Sequence, residues 1–349
     1  MAAVVTAGGD APAPFGQWGV IHGSAAYAAA GVDIAAADEN VRRIAQHVRS
    51  THGPSVLGDF GAFAGLFHLR DVRDPVLVAS TDGVGTKVLL GLELGRPDVI
   101  GRDLVNLSVN DVLTSGARPL FFLDYVAVHR LDHALMEALV GGMAAACRDN
   151  GCALLGGETA QLAELYQPGT YDLAGTVVGV VEREHLIDGR RVEPGDPVWA
   201  LPSTGLHTNG FSLARRIVAD LDLGSTLGGR LGGQTLGEAL LMPHPSYFRV
   251  LEPALGQVKA LAHITGGGVP GNLPRVLPPH VSVELDWGTW PVPPIFGLLQ
   301  EHGRLSFDEA WHVFNLGLGM LIVADERPPE ALAVGRVIAR QAERVLLRR

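Results

Sequence analysis

Two strand-length apolar runs, Pro75 to Ser80 and Ala153 to Leu155, hand over directly to glycines and a carboxylate. The first runs into Thr81-Asp-Gly-Val-Gly-Thr-Lys87 and the second into Gly156-Gly-Glu-Thr159. Strand, glycine turn and helix in succession describe a mixed α/β chain whose strand ends face a ligand. The rest of the chain fits that alternation. Val41, Ile44 and Val48 fall at helical spacing, which predicts a helix over 38–50. Further helices are predicted over 100–114 and 132–149, and strands over 119–128 and 171–182. Residues 187–197 are polar and rich in turn formers, which places a domain boundary there.

The second half reads as strand 198–201, loop 202–210 and a helix from about Phe211. A Gly-rich surface loop follows over 223–237. Then come strand 281–285, helices 294–300 and 307–313, and strand 317–323. The stretch 329–349 reads as a helix ending in basic residues. At 349 residues, with 47% hydrophobic and 18% charged, the chain has material for two domains with real cores. The formal net charge of −10 argues against a general nucleic-acid binder. The two cysteines, Cys147 and Cys152, are read as small packing residues, not a disulfide framework. The first residues lack a basic start followed by an apolar core and read as a loose tail. No apolar run is long enough to span a bilayer, so the expectation is a cytoplasmic protein that does not engage membranes.

Five clusters could carry chemistry. In Asp82, Gly83, Gly85, Thr86 and Lys87 the carboxylate suits a metal, the glycines suit close approach to phosphate, and the lysine suits its charge. The spacing is not that of a P-loop, and the plainer reading is a glycine turn with a surface Asp and Lys. On the helix 101–116, Asp103, Asn106, Asn110 and Thr114 form one stripe at about 100° per residue, with Asp111 at its edge. Such a stripe is either a solvated face or a set of hard oxygen ligands for Mg²⁺. Glu158 after Gly156-Gly157, with Thr159 next, could be a metal ligand or a turn residue.

The loop Ser203-Thr-Gly-Leu-His-Thr-Asn-Gly210 precedes a helix and could seat an anion, or Thr208 or Asn209 could simply cap that helix. In His263-Ile-Thr-Gly-Gly-Gly268, a turn explains one or two glycines; a ligand or another backbone close by explains the third. Neither a GxSxG nucleophile signature nor zinc-ligand spacing occurs.

Ten motifs in order make a resemblance. They are Ala30-Gly-Val-Asp-Ile34, Ser80-Thr-Asp-Gly-Val-Gly-Thr-Lys87, Asn110-Asp111, Pro119-Leu-Phe-Phe-Leu-Asp-Tyr125, Gly156-Gly-Glu-Thr-Ala160, Asp172-Leu-Ala-Gly175, His207-Thr-Asn-Gly210, His263-Ile-Thr-Gly-Gly-Gly268, Pro274-Arg-Val-Leu-Pro278 and Phe314-Asn315. From about Tyr27 to Val323 the chain resembles the phosphoribosylformylglycinamidine cyclo-ligase (aminoimidazole ribonucleotide synthetase) family. The resemblance implies a two-domain α/β fold and a homodimer in which the N-terminal sheets of two subunits join in a barrel. It implies residues 1–26 as a tail, 27–187 as an ATP-binding and dimerisation domain, and 188–349 as a substrate domain.

It also implies ATP and Mg²⁺ as cofactors and a phosphoribosyl substrate, with ring closure as the reaction. A paralogue that activates a different amide or carboxylate, or that only binds nucleotide, is the alternative. Asp82, Asp111 and Glu158 are then the expected metal ligands. Gly83, Gly85, Thr86, Lys87, Asp103, Asn110, Gly157 and Thr159 are expected with them around the nucleotide. Thr204, Gly205, His207, Thr208, Asn209, Gly210, Gly266 and Gly267 are expected on the substrate. His207, His263 and Lys87 are the catalytic candidates. The chain departs from the family pattern at Ala28, where a lysine is usual, at Gln161-Leu-Ala-Glu164, and in the closing segment after 330, where a Gly- and Trp-containing strand is usual.

Overall fold

The computed structural model describes residues 34–349, so Ala28 and the tail lie outside the described residues. Helix α1 (Ile34–Arg49) leads, through a small ribbon of β1 (Val56–Leu57) and β2 (Leu66–Phe67), into β3 (Pro75–Gly83). Then follow α2 (Lys87–Glu93), α3 (Pro97–Leu113), β4 (Arg118–Val128), α4 (His133–Asn150), β5 (Ala153–Gln161) and β6 (Tyr171–Glu182). The four long strands form one sheet in the order β3-β6-β4-β5, parallel only between β4 and β5. Strand β3 therefore carries Asp82 and Gly83 within it, and β5 carries Gly156 to Thr159. These residues extend the ladder where the sequence suggests a turn.

Helices α3 and α4 cover one face of this sheet and cross closely. A Cβ on Gly101 would sit 2.1 Å from Leu139 O, and one on Gly142 would sit 2.1 Å from Asp98 O. The crossing therefore admits only glycine at both places. Phe122 and Val126 of β4 and Leu173 and Val177 of β6 fill the space beneath. The other face of the sheet bears Leu77 and Tyr125, 62% and 41% exposed.

The second sheet contains β7 (Pro197–Pro202), then, after α5 (Phe211–Ile217), α6 (Leu236–Leu241) and α7 (Phe248–Leu251), strand β8 (Val258–His263). The short helix α8 (Gly268–Asn272) leads to β9 (Val281–Asp286), and α9 (Pro294–Gly303) and α10 (Phe307–Val313) lead to β10 (Leu318–Ala324). Two further strands, β11 (Leu332–Ala339) and β12 (Val345–Arg348), complete the order β12-β9-β11-β7-β10-β8. The expected C-terminal helix is thus two strands. Its apparent helical period has a cause: Ala331, Val334 and Val337 are buried at intervals of three, because β11 bulges between Ala333 and Gly335 where it pairs with β7. Gly335 is required there, since a Cβ would lie 2.1 Å from Glu284 O of the neighbouring strand. The Gly-rich stretch 223–237 is also more ordered than its composition suggests. It buries Leu231 and Leu236, and Thr235 and Glu238 form a capping box that starts α6.

Candidate active site

Most of the polar stripe of α3 faces neither solvent nor the cleft between the domains. Asp103, Asn106 and Asn110 are buried, and they grip the segment 242–247 of the second domain. Asp103 Oδ1 accepts from His244 N (2.8 Å), Asn106 Nδ2 donates to His244 O (2.8 Å), and Asn110 Nδ2 donates to Pro245 O (2.9 Å). Asn110 Oδ1 accepts from Tyr247 N at 2.9 Å. Lys87 completes this clasp. Its ammonium is wholly buried against Asp103 and donates to His207 O (2.7 Å) and Met242 O (2.8 Å), which uses all three donors. Burial pulls the Lys87 ammonium down and pushes the Asp103 carboxyl up, and their contact opposes both shifts. The buried clasp is a feature that local patterning did not reveal, because burial of a polar stripe depends on what packs over it.

One residue beyond Asn110 of the clasp, Asp111 opens onto a cleft of about 500 Å³ between the domains, lined also by Ser80, Asp82, His263, Thr265, Asn272 and Arg275. Asp82 comes from the end of β3, Asp111 from the last turn of α3, and His263 from the end of β8. His263 Nδ1 donates to Asp111 Oδ1 at 2.8 Å, and Ser80 Oγ donates to Asp111 Oδ2 at 3.0 Å. Burial acts to raise the Asp111 carboxyl, but the hydrogen bonds from His263 and Ser80 outweigh it and hold Asp111 below the usual range. Asp82 moves the other way, up, through burial and the neighbouring Asp111 charge, with the Gly83 amide opposing. Two carboxylates in one polar cleft, one of them raising the other, are hard oxygen donors of the kind a divalent cation relieves.

Behind His263 stand His244 and His207, neither exposed. His244 Nε2 lies 3.1 Å from His263 Nε2, and the rings of His207 and His244 stack at 4.1 Å. The tautomers follow from the network. The bonds to Tyr247 and Pro245 fix the Asn110 amide, so its Nδ2 donates to His244 Nε2 (3.2 Å), which leaves that nitrogen an acceptor. His244 then donates from Nδ1 to Thr208 Oγ1 (3.3 Å), and His263 Nε2 lies beside the accepting nitrogen of His244. Burial, followed by the neighbouring charges, pushes His207 and His244 well below the usual imidazole range, so both are neutral. Nothing in the spacing of the sequence singled out His244.

The two glycine loops meet as expected of partners. Asn209 Oδ1 would be 3.3 Å from a Cβ on Gly266. His207 carries a positive φ of 62° and turns inward; Thr204 Oγ1 donates to Pro243 O, and neither Thr208 nor Asn209 caps α5, whose first turn follows Gly210. The third glycine of His263–Gly268 is there for backbone: a Cβ on Gly268 would meet Trp311 O at 2.1 Å. Gly85 turns the chain after β3 with φ 57°, and Thr86 precedes α2.

Glu158 lies elsewhere. Asp82, Gly175, Asp124 and Gly157 form one register row across the sheet, so Glu158 on β5 is three strand spacings, roughly 14 Å, from Asp82. One ion does not bridge Glu158 and Asp82 within one chain. Glu158, Gly157 and Thr159 instead line a second cavity of about 220 Å³ with Asp124, Asn40, Ile44, Leu131 and Leu154. There burial, with Glu158 adding to it, pushes Asp124 up to about 7, and Asn40 Oδ1 is buried without a hydrogen-bond partner among the described residues.

The family model for the N-terminal domain of AIR synthase related proteins matches residues 63–181, and that for the C-terminal domain matches residues 193–343. A phosphoribosylformylglycinamidine cyclo-ligase of Sorangium cellulosum (strain So ce56) is 49% identical over 87% of this chain and 89% of its own length. One from Myxococcus xanthus (strain DK1622) is 48% identical over 91% and 97%. The chain belongs to the phosphoribosylformylglycinamidine cyclo-ligase family. Solved structures share the fold at lower identity than these cyclo-ligases. Thiamine-monophosphate kinase of Stenotrophomonas maltophilia K279a superposes with a TM-score of 0.63 at 20% identity, covering 90% of this chain and 96% of that one. The hydrogenase maturation protein HypE, solved in complex with ATP, gives 0.62 at 16%, covering 89% and 90%. Among the described residues, no helix is long and apolar enough to cross a membrane.

Proposed function

We propose that this chain is an ATP-dependent cyclo-ligase that converts formylglycinamidine ribonucleotide to aminoimidazole ribonucleotide, with release of ADP and phosphate. The observation that carries the reading is the convergence of Asp82, Asp111 and His263, from two domains, on one polar cleft in a chain of this family. In this reaction the formyl amide oxygen takes the γ-phosphoryl group of ATP and becomes a good leaving group. The amidine nitrogen attacks the activated carbon, the five-membered ring closes and phosphate departs. Little covalent work falls to the protein, which must position the reactants and neutralise charge.

Asp82 and Asp111 would hold Mg²⁺, which when bound neutralises the phosphoryl oxygens. His263 donates to Asp111 and so aims that carboxylate; His207 and His244, buried behind it, keep its ring in place. Lys87 is assigned here to the clasp, not to phosphate. The small apolar cavity with Asp124, Glu158 and Asn40 suits the base of the nucleotide, and the register row of Asp82, Gly175, Asp124 and Gly157 gives the path from base to phosphates. The loop Thr204 to Gly210 and Gly266-Gly267 close the substrate side. We divide the chain at 187/188, between β6 and β7, and place the reaction in the cytoplasm. The apolar open face of the first sheet, with Leu77, Leu123 and Tyr125, suits a second copy closing a barrel.

Purified protein with Mg²⁺, ATP and formylglycinamidine ribonucleotide should give ATP-dependent aminoimidazole ribonucleotide. A protein that binds ATP but yields no product in that assay overturns the reading.

A further inference from the structure

The cleft that the reaction needs is acidic on one side and has little basic charge on the other. Among the described residues that line it, Arg275 is the only Lys or Arg. Lys87, the residue expected to meet phosphate, has every donor committed to the clasp. A phosphorylated substrate still requires a cation on the side away from the metal carboxylates.

Arg275 is held in a way that suits this task. Its Nη1 donates to Asn272 Oδ1 at 3.2 Å, its one hydrogen bond among the described residues, which leaves most of its five N–H groups without a partner among them. Asn272 is buried and is itself fixed. Its Nδ2 donates to the carbonyls of Thr265, Gly266 and Gly268 at 3.3, 3.2 and 2.8 Å, and Thr265 Oγ1 donates to its Oδ1 at 3.1 Å. One buried amide therefore shapes the glycine loop and orients the guanidinium beside it. The charge of Arg275 also reaches across to Asp111, where it lowers the carboxyl.

We propose that Arg275, oriented by Asn272, binds the phosphate monoester of the ribonucleotide substrate, while the nucleotide phosphates lie on the Asp82 and Asp111 side. A dianionic monoester offers two of its terminal oxygens side by side to the guanidinium fork, a pairing that a lysine ammonium does not reproduce. This assignment rests on the proposed reaction for its substrate but not for its test.

The test is calorimetric binding with the whole chain. Wild type, Arg275→Ala and Arg275→Lys are each titrated with ribose 5-phosphate, ribose and ADP, and assayed with formylglycinamidine ribonucleotide. Wild type binds ribose 5-phosphate and not ribose. Arg275→Ala weakens ribose 5-phosphate binding on the order of thirtyfold, the size of a lost charge-assisted pair, and leaves ADP within twofold. Arg275→Lys recovers only part, and all three proteins melt together because the side chain is exposed. Absent or phosphate-independent sugar binding by wild type overturns the proposal, as does equal sugar-phosphate affinity in Arg275→Ala or a loss confined to ADP. Arg275-dependent binding of ribose 5-phosphate in a protein that makes no aminoimidazole product would leave the subsite standing and remove the proposed reaction.

Discussion

Lys87 and Asp103 form an ion pair with no solvent-exposed side-chain surface, and Lys87 spends its other two donors on carbonyls of the second domain. The pair is thus a joint between domains. Removing one partner leaves a buried charge uncompensated, which costs about 3–5 kcal/mol. Lys87→Met should lower unfolding free energy by that amount and depress turnover through the geometry of the cleft. Denaturant unfolding together with ADP titration checks it. Unchanged stability with a tenfold weaker ADP affinity would return Lys87 to the phosphates.

His244 bridges His263 and His207 without reaching the cleft, so it acts through its neighbours. Replacing it with alanine removes the polar partner of His263 Nε2 and the ring that His207 stacks on. Loss of hydrogen bonds in a buried network costs about 1–3 kcal/mol, which in positioning terms is roughly a tenfold to hundredfold fall in kcat. KM for ATP should change little, because His244 lines neither the cleft nor the cavity beside Glu158. Steady-state kinetics that instead move KM alone would sink the positioning role.

What the sequence could and could not reveal divides along physical lines. Strand β6 and helix α10 were legible at their observed bounds, because a long apolar run and a Ser306/Glu309 capping box are local signals. Asp82, Asp111 and His263 were legible as cleft residues because they end elements beside glycines or on a stripe. The closing strands were not, since a bulge spaced their buried residues at three. Asn40, Asp124 and His244 were missed for another reason. Each gains its importance from long-range packing: α1 over β5, β4 beneath its helices, and the strap 242–247 against α3. The polar stripe is legible in the sequence, but its burial by that strap is not a local property.

The two carboxylates of the cleft make a prediction about metal. Asp111→Asn keeps the side chain's shape and the bond from His263, with Ser80 Oγ turning to accept from the new amide, but removes a charge, and Asp82→Asn removes one on β3. Each should reduce Mg²⁺-dependent turnover by at least about a hundredfold, since electrostatic stabilisation of phosphoryl transfer is worth roughly 3–4 kcal/mol per key group. Glu158→Gln, roughly 14 Å away by strand spacing, should leave the Mg²⁺ concentration for half-maximal rate unchanged and alter nucleotide affinity instead. A shift in that Mg²⁺ midpoint for Glu158→Gln would place all three carboxylates on the metal.

The open face of the first sheet predicts oligomeric state. Leu77 is 62% exposed on β3, with Leu123 and Tyr125 on β4 facing the same side. If a second copy covers this face, Leu77→Arg buries an unpaired charge in the interface and should shift the protein to monomer in sedimentation at micromolar concentration. Its monomer fold should survive, because the substituted position lies outside the core. A wild-type monomer at the same concentration would dispose of the barrel.

Asp124 gives a pH dependence with a definite sign. Its folded carboxyl sits at about 7 against an ordinary 3.8, so between those values the folded state binds more protons than the unfolded one. A raised acid stabilises the folded state only while it stays protonated, so its contribution declines as pH rises from about 4 to 7. The full shift corresponds to about 4 kcal/mol, and partial exposure at the cavity reduces this to about 2 kcal/mol. Asp124→Asn, neutral at every pH, removes the decline. In urea unfolding with metal chelated, its stability relative to wild type should improve by about 2 kcal/mol between pH 5 and pH 8. Parallel curves for the two proteins would mean that Asp124 is already ionised in the folded state and that the cavity is wetter than its lining of Ile44, Leu131 and Leu154 implies.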